Sequence, residues 1–205
     1  MKAGMFLAAM LLVPAAAAGA QTPARVHALP LEDAEDVRVL AVLGLAPFER
    51  EREIIRYTFR AMEFAAPGRF SGWRHIVVQL VPAPDGGRAK LVLATGRTTR
   101  NGTSRMVSRR EEGISGPEYR SLRTQLVRHA ADLDMREQEV SSDVMVCSHG
   151  PSARFDMKLG GETGMVLSRT AGCTYSAAAY EAGDFLLVAA ERIFGAPIEG
   201  ARPAR

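Results

Sequence analysis

Apolar and polar residues alternate twice in "WRHIVVQLVPAPDGGRAKLVLATG", running from Trp73 to Gly96 around the turn at Pro84–Gly87. Side chains on a strand point to opposite faces in turn, so each run predicts a half-buried strand and the glycine-rich turn predicts a hairpin. Pairing Pro84 with Gly87 sets Leu80 against Leu91 and Val78 against Leu93, with Ile76 completing an apolar face. A second turn at Asn101-Gly102, the dipeptide favoured in two-residue hairpins, leads into "TSRMVSRR". That register adds Met106 and Ser108 to the Leu91/Leu93 face. The opposite face, with His75, Gln79, Lys90, Arg105 and Arg109 around Val77 and Val92, is expected to be wet.

"EIIRYTFRAMEF" fits both periods. Ile55, Phe59 and Met62 match a helix, whereas Ile55, Tyr57, Phe59 and Ala61 alternate with Arg56, Thr58 and Arg60. Its β-branched and aromatic content favours a strand. "SGPEYRSLRTQLVRHAADLD" is the clearest helix, with Pro117 and Glu118 in its first turn and Tyr119, Leu122 and Leu126 on one side. "LEDAEDVRVLAVLGLAP" predicts a short helix stopped by Gly44 and Pro47. "TYSAAAYEAGDFLLVAAERIFGAP" predicts a last helix, broken at Gly183-Asp184 and ended by Gly195 and Pro197. Strands, helix, strands, helix is the order of an α+β fold. The expected architecture is an antiparallel meander sheet packed by two principal helices.

The stretch "VCSHGPSARFDMKLGGETGMVLSRTAGC" holds both cysteines, Cys147 and Cys173. Ala153, Phe155, Met157 and Leu159 alternate with Arg154, Asp156 and Lys158, again one dry face and one wet. A three-residue loop, Leu159-Gly160-Gly161, with Gly161 in the left-handed position, closes a hairpin in which Phe155 faces Met165 and Ala153 faces Leu167. Extending that register brings Cys147 opposite Cys173. The reading is a cross-strand disulfide, which would stabilise the fold by roughly 3 to 4 kcal/mol through loop closure.

The N-terminus supports that chemistry. Met1-Lys2 is a positive start, "MFLAAMLLVPAAAA" an apolar run, and Ala18-Gly19-Ala20 a small-residue cleavage site. The run is too short to span a bilayer comfortably. The expectation is a signal peptide over 1–20, a leader with a short helix over 21–53, a single α+β domain over 54–195 and a tail over 196–205. The protein is expected to be periplasmic or secreted after cleavage near Ala20, with no transmembrane anchor left, and so in a compartment where disulfides persist. At 47% hydrophobic and 24% charged, the chain is of ordinary globular composition, neither disordered nor fibrous.

Charge is unevenly spread. Nine basic residues and one acid lie between Arg69 and Arg110, although the whole chain carries only +3. Arg97, Arg100, Arg105 and Arg109 cluster around one hairpin and suit an anionic partner of the envelope or a protein partner. The competing reading is a solvated sheet face whose arginines blunt edge pairing. Nucleic acid is disfavoured by compartment and by the lack of interleaved aromatics. Catalytic signals are weak. Cys147 and His149 share a face on a strand, and Cys173 could complete a three-ligand zinc site, but no fourth ligand or general base lies near. Ser148 and His149 point to opposite faces and form no dyad. His27, His75 and His129 have no partner at metal-ligand spacing, His129 being placed near a helix end, and "LGGETG" lies within a hairpin where a phosphate loop needs a following helix. Asn101-Gly102-Thr103 matches a glycosylation acceptor, but the turn accounts for it. No cofactor or metal is expected, and no catalytic residue is assigned.

Three stretches, "WRHIVVQL…AKLVLA", "ISGPEYRSLRTQL" and "CSHGPSARFDMKLGG", together resemble a broad family of uncharacterised exported bacterial α+β proteins, over about residues 54 to 194. His149 stands where that pattern has an aspartate, and the helix cap is not a clean Ser-x-x-Glu. The resemblance implies an exported α+β domain and no mechanism. The resulting expectation is a non-catalytic binding or interaction module. The alternative is a small periplasmic hydrolase or metal-dependent enzyme using the Cys147/His149 region, or His75.

Overall fold

A computed structural model describes residues 34–83, 87–137, 151–160, 166–171 and 177–202. In chain order these form α1 (Ala34–Val42), β1 (Ile54–Ala66), β2 (Arg69–Pro82), β3 (Arg88–Thr99), β4 (Ser104–Ser115), α2 (Gly116–Glu137), β5 (Ser152–Lys158), β6 (Val166–Ala171) and α3 (Ala177–Phe194). The strands build one antiparallel sheet in the order β4-β3-β2-β1-β5-β6. This is the α+β class expected, with an antiparallel sheet under two principal helices. The ambiguous segment from Ile54 is a strand. The sheet needs it there, because β1 bridges the β2–β4 meander to β5.

The β2–β3 register is the one the turn predicts, with Leu80 opposite Leu91 and Val78 opposite Leu93. Along β3–β4 the ladder slips between Thr95 and Gly96. Beyond the slip Ser108 keeps the place the turn predicts, opposite Thr95, bonded hydroxyl to hydroxyl at 2.7 Å. Met106 moves opposite Gly96, leaves the apolar face and is exposed. A bulge adds one residue to a strand and turns every side chain beyond it, and the sequence had no separate mark for it.

Ile55, Tyr57, Phe59, Ile76, Val78, Leu80, Leu91, Leu93, Phe155 and Met157 form one face of the sheet, and α2 and α3 cover it with Tyr119, Leu122, Leu126, Leu186 and Leu187. Helix α3 is unbroken through Gly183. A Cβ there would lie 2.1 Å from the Tyr57 ring, so the glycine marks close helix–sheet approach, not a break. The segment after α3 also joins this core: Ile198 and Ala201 are buried, and the Tyr57 hydroxyl donates to the Ala201 carbonyl at 3.2 Å.

The opposite face is not the wet surface the alternation implied. Helix α1 lies on it, packing Val39, Leu40, Leu43 and Leu45 against Val77, Val92 and Ala94. Gly44, at φ +68°, ends the helix: its N–H reaches the Ala41 carbonyl and the N–H of Leu45 that of Leu40, the paired bonds of a Schellman cap.

The β5–β6 register is also corrected. Ala153 faces Ala171 and Lys158 faces Val166, a shift of four residues from the three-residue-loop expectation. Seven residues, 159–165, separate the two strands where three were expected. The even shift preserves which face each residue occupies. Cys147 and Cys173 lie outside the described residues, as do His149, His27 and the signal segment. The corrected register no longer aligns the cysteines by extrapolation.

Candidate functional site

The first two strands run well past β5. Ser152 is the last β5 residue to pair with β1, opposite Arg60, so among the described residues Ala61–Ala66 pair with β2 alone. The β1–β2 turn, Pro67-Gly68, and the β3–β4 turn, Asn101-Gly102, come side by side at this end of the sheet. Proline presets the first turn position, and Gly68 takes φ +73° at the next. The two hairpins are tied by the Arg100 N–H, which donates to the Ser71 carbonyl at 3.1 Å.

The four arginines singled out from the sequence fall into two kinds. Arg97 pairs with Glu63 at 3.0 Å, and Arg74 binds the same carboxylate at 3.1 Å. Arg109 donates to the carbonyls of Leu43 and Gly44, at 3.0 and 2.6 Å, and pairs with Glu111. It thereby places a cation at the C-terminus of α1, where the exposed carbonyls favour one. Arg100 and Arg105 are exposed and make no ion pair among the described residues. Arg69, on the facing turn, is in the same condition. Arg110, counted in the basic run, spreads over the Phe194 ring and donates to its carbonyl at 2.8 Å. Lys90 pairs with Glu111. Hydrogen bonding from Arg109, then Lys90, holds the Glu111 carboxyl below its usual range.

Sequence reasoning missed the aromatic cluster beside these arginines. Phe64 and Phe70 meet edge to face at 6.4 Å, Phe70 and Trp73 at 5.4 Å, and the Arg60 guanidinium lies 4.0 Å from the centre of the Trp73 ring. A shallow cleft of about 660 Å³ runs between Met62, Phe70, Trp73, Arg69 and Arg100. The Pro67-Gly68 dipeptide signals the turn, but the register shift beyond it, which has no mark in the sequence, is what brings Phe64 opposite Phe70.

His75, the histidine named in the catalytic alternative, is buried on the α1 face. Its Nε2 lies 2.9 Å from the Thr98 hydroxyl, which is 2.8 Å from that of Ser104. Burial, then the positive charge of Arg60, lowers its pKa to about 4, so it is neutral at pH 7. The chain His75–Thr98–Ser104 satisfies hydrogen bonds, and among the described residues no carboxylate bonds the histidine. Nearby, Arg56 is fully buried, with Nε and Nη2 donating to the Gln79 side-chain oxygen at 3.1 and 2.9 Å and Nη2 to the Ala46 carbonyl at 2.6 Å. Asp156, also buried, sits opposite Arg56 in register and accepts from Arg154 at 2.8 Å. His129 is not at a helix end, since α2 continues to Glu137; its ring packs 4.9 Å from that of Phe185.

Among the described residues, no three His, Cys, Asp or Glu side chains are grouped to hold a metal ion, and no helix is long and apolar enough to cross a membrane. No family model, curated protein or solved structure matches the chain.

Proposed function

We propose that the protein is an exported, periplasmic binding module without catalytic activity, whose contact surface for an anionic partner is the end of the sheet formed by the β1–β2 and β3–β4 turns. One observation carries the reading. Most cations on this sheet are engaged by carboxylates, carbonyls or rings, whereas Arg69, Arg100 and Arg105 converge on one end with their charge uncompensated. Exposed guanidiniums in a group attract anions and offer forked donors to phosphate, sulfate or carboxylate. Arg97 adds charge from its pair with Glu63. Arg109 serves by holding α1 against the sheet.

The test is retention on immobilised dextran sulfate at low salt. Arg100→Glu/Arg105→Glu should elute at much lower salt than the parent protein while melting at the same temperature. Unchanged elution would overturn the proposal. Export and the Cys147–Cys173 disulfide belong to the same reading, resting on the signal-like N-terminus and the pair of cysteines. Intact mass of the exported protein should start at Gln21, with no thiol alkylated until reduction. Two free thiols would instead favour the Cys147/His149 enzyme.

A further inference from the structure

The β1–β2 turn has a composition that a purely electrostatic surface does not need. Phe64-Ala65-Ala66-Pro67-Gly68 carries no charged or hydrogen-bonding side chain, yet every one of these residues is exposed, Phe64 to 54%. Behind them Phe70, Trp73 and Met62 form a half-buried apolar base, and Arg69 and Arg100 flank it on either side of the cleft. The nearest acid on the strand, Glu63, is already neutralised by Arg74 and Arg97. An apolar point collared by free guanidiniums, at the projecting end of two long hairpins, matches the profile of a bilayer interface. Aromatic rings settle at headgroup depth, and arginines meet the lipid phosphates. A soluble polyanion or an acidic protein surface would leave the apolar point in water.

We infer that this end of the sheet docks on a membrane surface rich in anionic phospholipid, with Phe64 and the Ala65–Pro67 turn entering the interface and Arg69 and Arg100 contacting phosphates. The inference rests on the proposed function and names its partner. The backbone at the tip is suited to the task. Ala66 and Arg69 close the ladder beneath the turn, and the backbone groups left at the tip would meet headgroups and interfacial water.

The chain has a built-in reporter, since Trp73 is its only tryptophan and stands in the base of the cleft. Full-length mature protein is titrated with mixed phosphatidylglycerol/phosphatidylcholine vesicles, with phosphatidylcholine vesicles, and with glycerol phosphate. The expected result is a blue shift of Trp73 emission and co-sedimentation with the mixed vesicles only. Arg69→Gln/Arg100→Gln should weaken vesicle binding on the order of thirtyfold, taking about one unit of surface attraction per arginine. Phe64→Ser should also weaken it while leaving far-ultraviolet circular dichroism and dextran sulfate retention unchanged, which excludes misfolding as the cause. Equal binding to neutral vesicles, a full response to glycerol phosphate alone, or no response to any vesicle would each overturn membrane docking. If dextran sulfate retention persists in that case, the anion-binding proposal stands; if it too is absent, both fall.

Discussion

The two faces of the sheet solve the same problem with different chemistry. Under α2 and α3 the buried side chains are hydrocarbon and aromatic, from Tyr57, Phe59 and Phe155 to Leu126 and Leu187. On the α1 face lie all five buried polar residues of the described chain: Arg56, His75, Gln79, Thr98 and Asp156. The difference follows from the length of the cover. Helix α1 has nine residues, about 13 Å, while the strands beneath it run 12 to 14 residues and about 40 Å. It dries Val77, Val92 and Ala94, and the remainder of that face is closed by polar side chains such as Arg56 and Gln79, which bond to each other. A face rich in paired polar groups fixes the register of α1 but contributes less net stability than an equal area of carbon.

That contrast can be broken by experiment. Phe155→Ala, in the apolar face, should cost about 4 kcal/mol by urea unfolding, the middle of the range for buried aromatic truncation. A far smaller loss would mean that the two faces do not differ as described. His75 supplies the second effect. Its folded pKa, about 4, lies below the 6.5 of the free side chain, so the unfolded state takes up a proton first as pH falls. Stability that is fully present above pH 6.5 is then lost down to about pH 4, by about 3 kcal/mol at the limit. His75→Gln, which can still reach Thr98, should flatten that window, and an unchanged pH profile would place the histidine elsewhere. Leu43→Ala should cost about 2 kcal/mol, at the low end of leucine truncation, because the short helix can shift to fill the gap. Hydrogen exchange should quicken in α1 while β1–β3 stay protected. Arg109→Ala should cost about 1 kcal/mol through the lost bonds to the α1 C-terminus. Arg105→Ala should stay within about 0.5 kcal/mol, as exposed residues without partners do. If Arg109 and Arg105 prove equally silent, the separation of structural from free arginines fails.

The sequence by itself determined what depends on neighbours a few residues apart. Alternation and turn chemistry set the β2–β3 pairing residue for residue, the Tyr119/Leu122/Leu126 stripe set the buried side of α2, and acids followed by Gly44 set α1. The Asn101-Gly102 turn set one of the two hairpins whose ends form the candidate site. Tertiary structure alone decided what depends on contacts distant along the chain. It made the strand that local content already favoured at Ile54 a central one, with β5 and β2 on either side to satisfy its backbone. It placed Gly183 against Tyr57, inserted the β4 bulge, and shifted the β5–β6 register by four residues, a slip that leaves every apolar side chain on the same face and so carries no mark in the pattern. Most of all it laid α1 on the face that alternation read as wet. Polar residues pattern alike whether water or a partnered side chain satisfies them, and only the fold shows which. The β4 bulge separates Arg109 from Arg105: both read as cations on one face, four residues apart, but Arg109 sits opposite Ala94 and braces the Leu43 and Gly44 carbonyls, whereas Arg105 is turned opposite Arg97 on the other face.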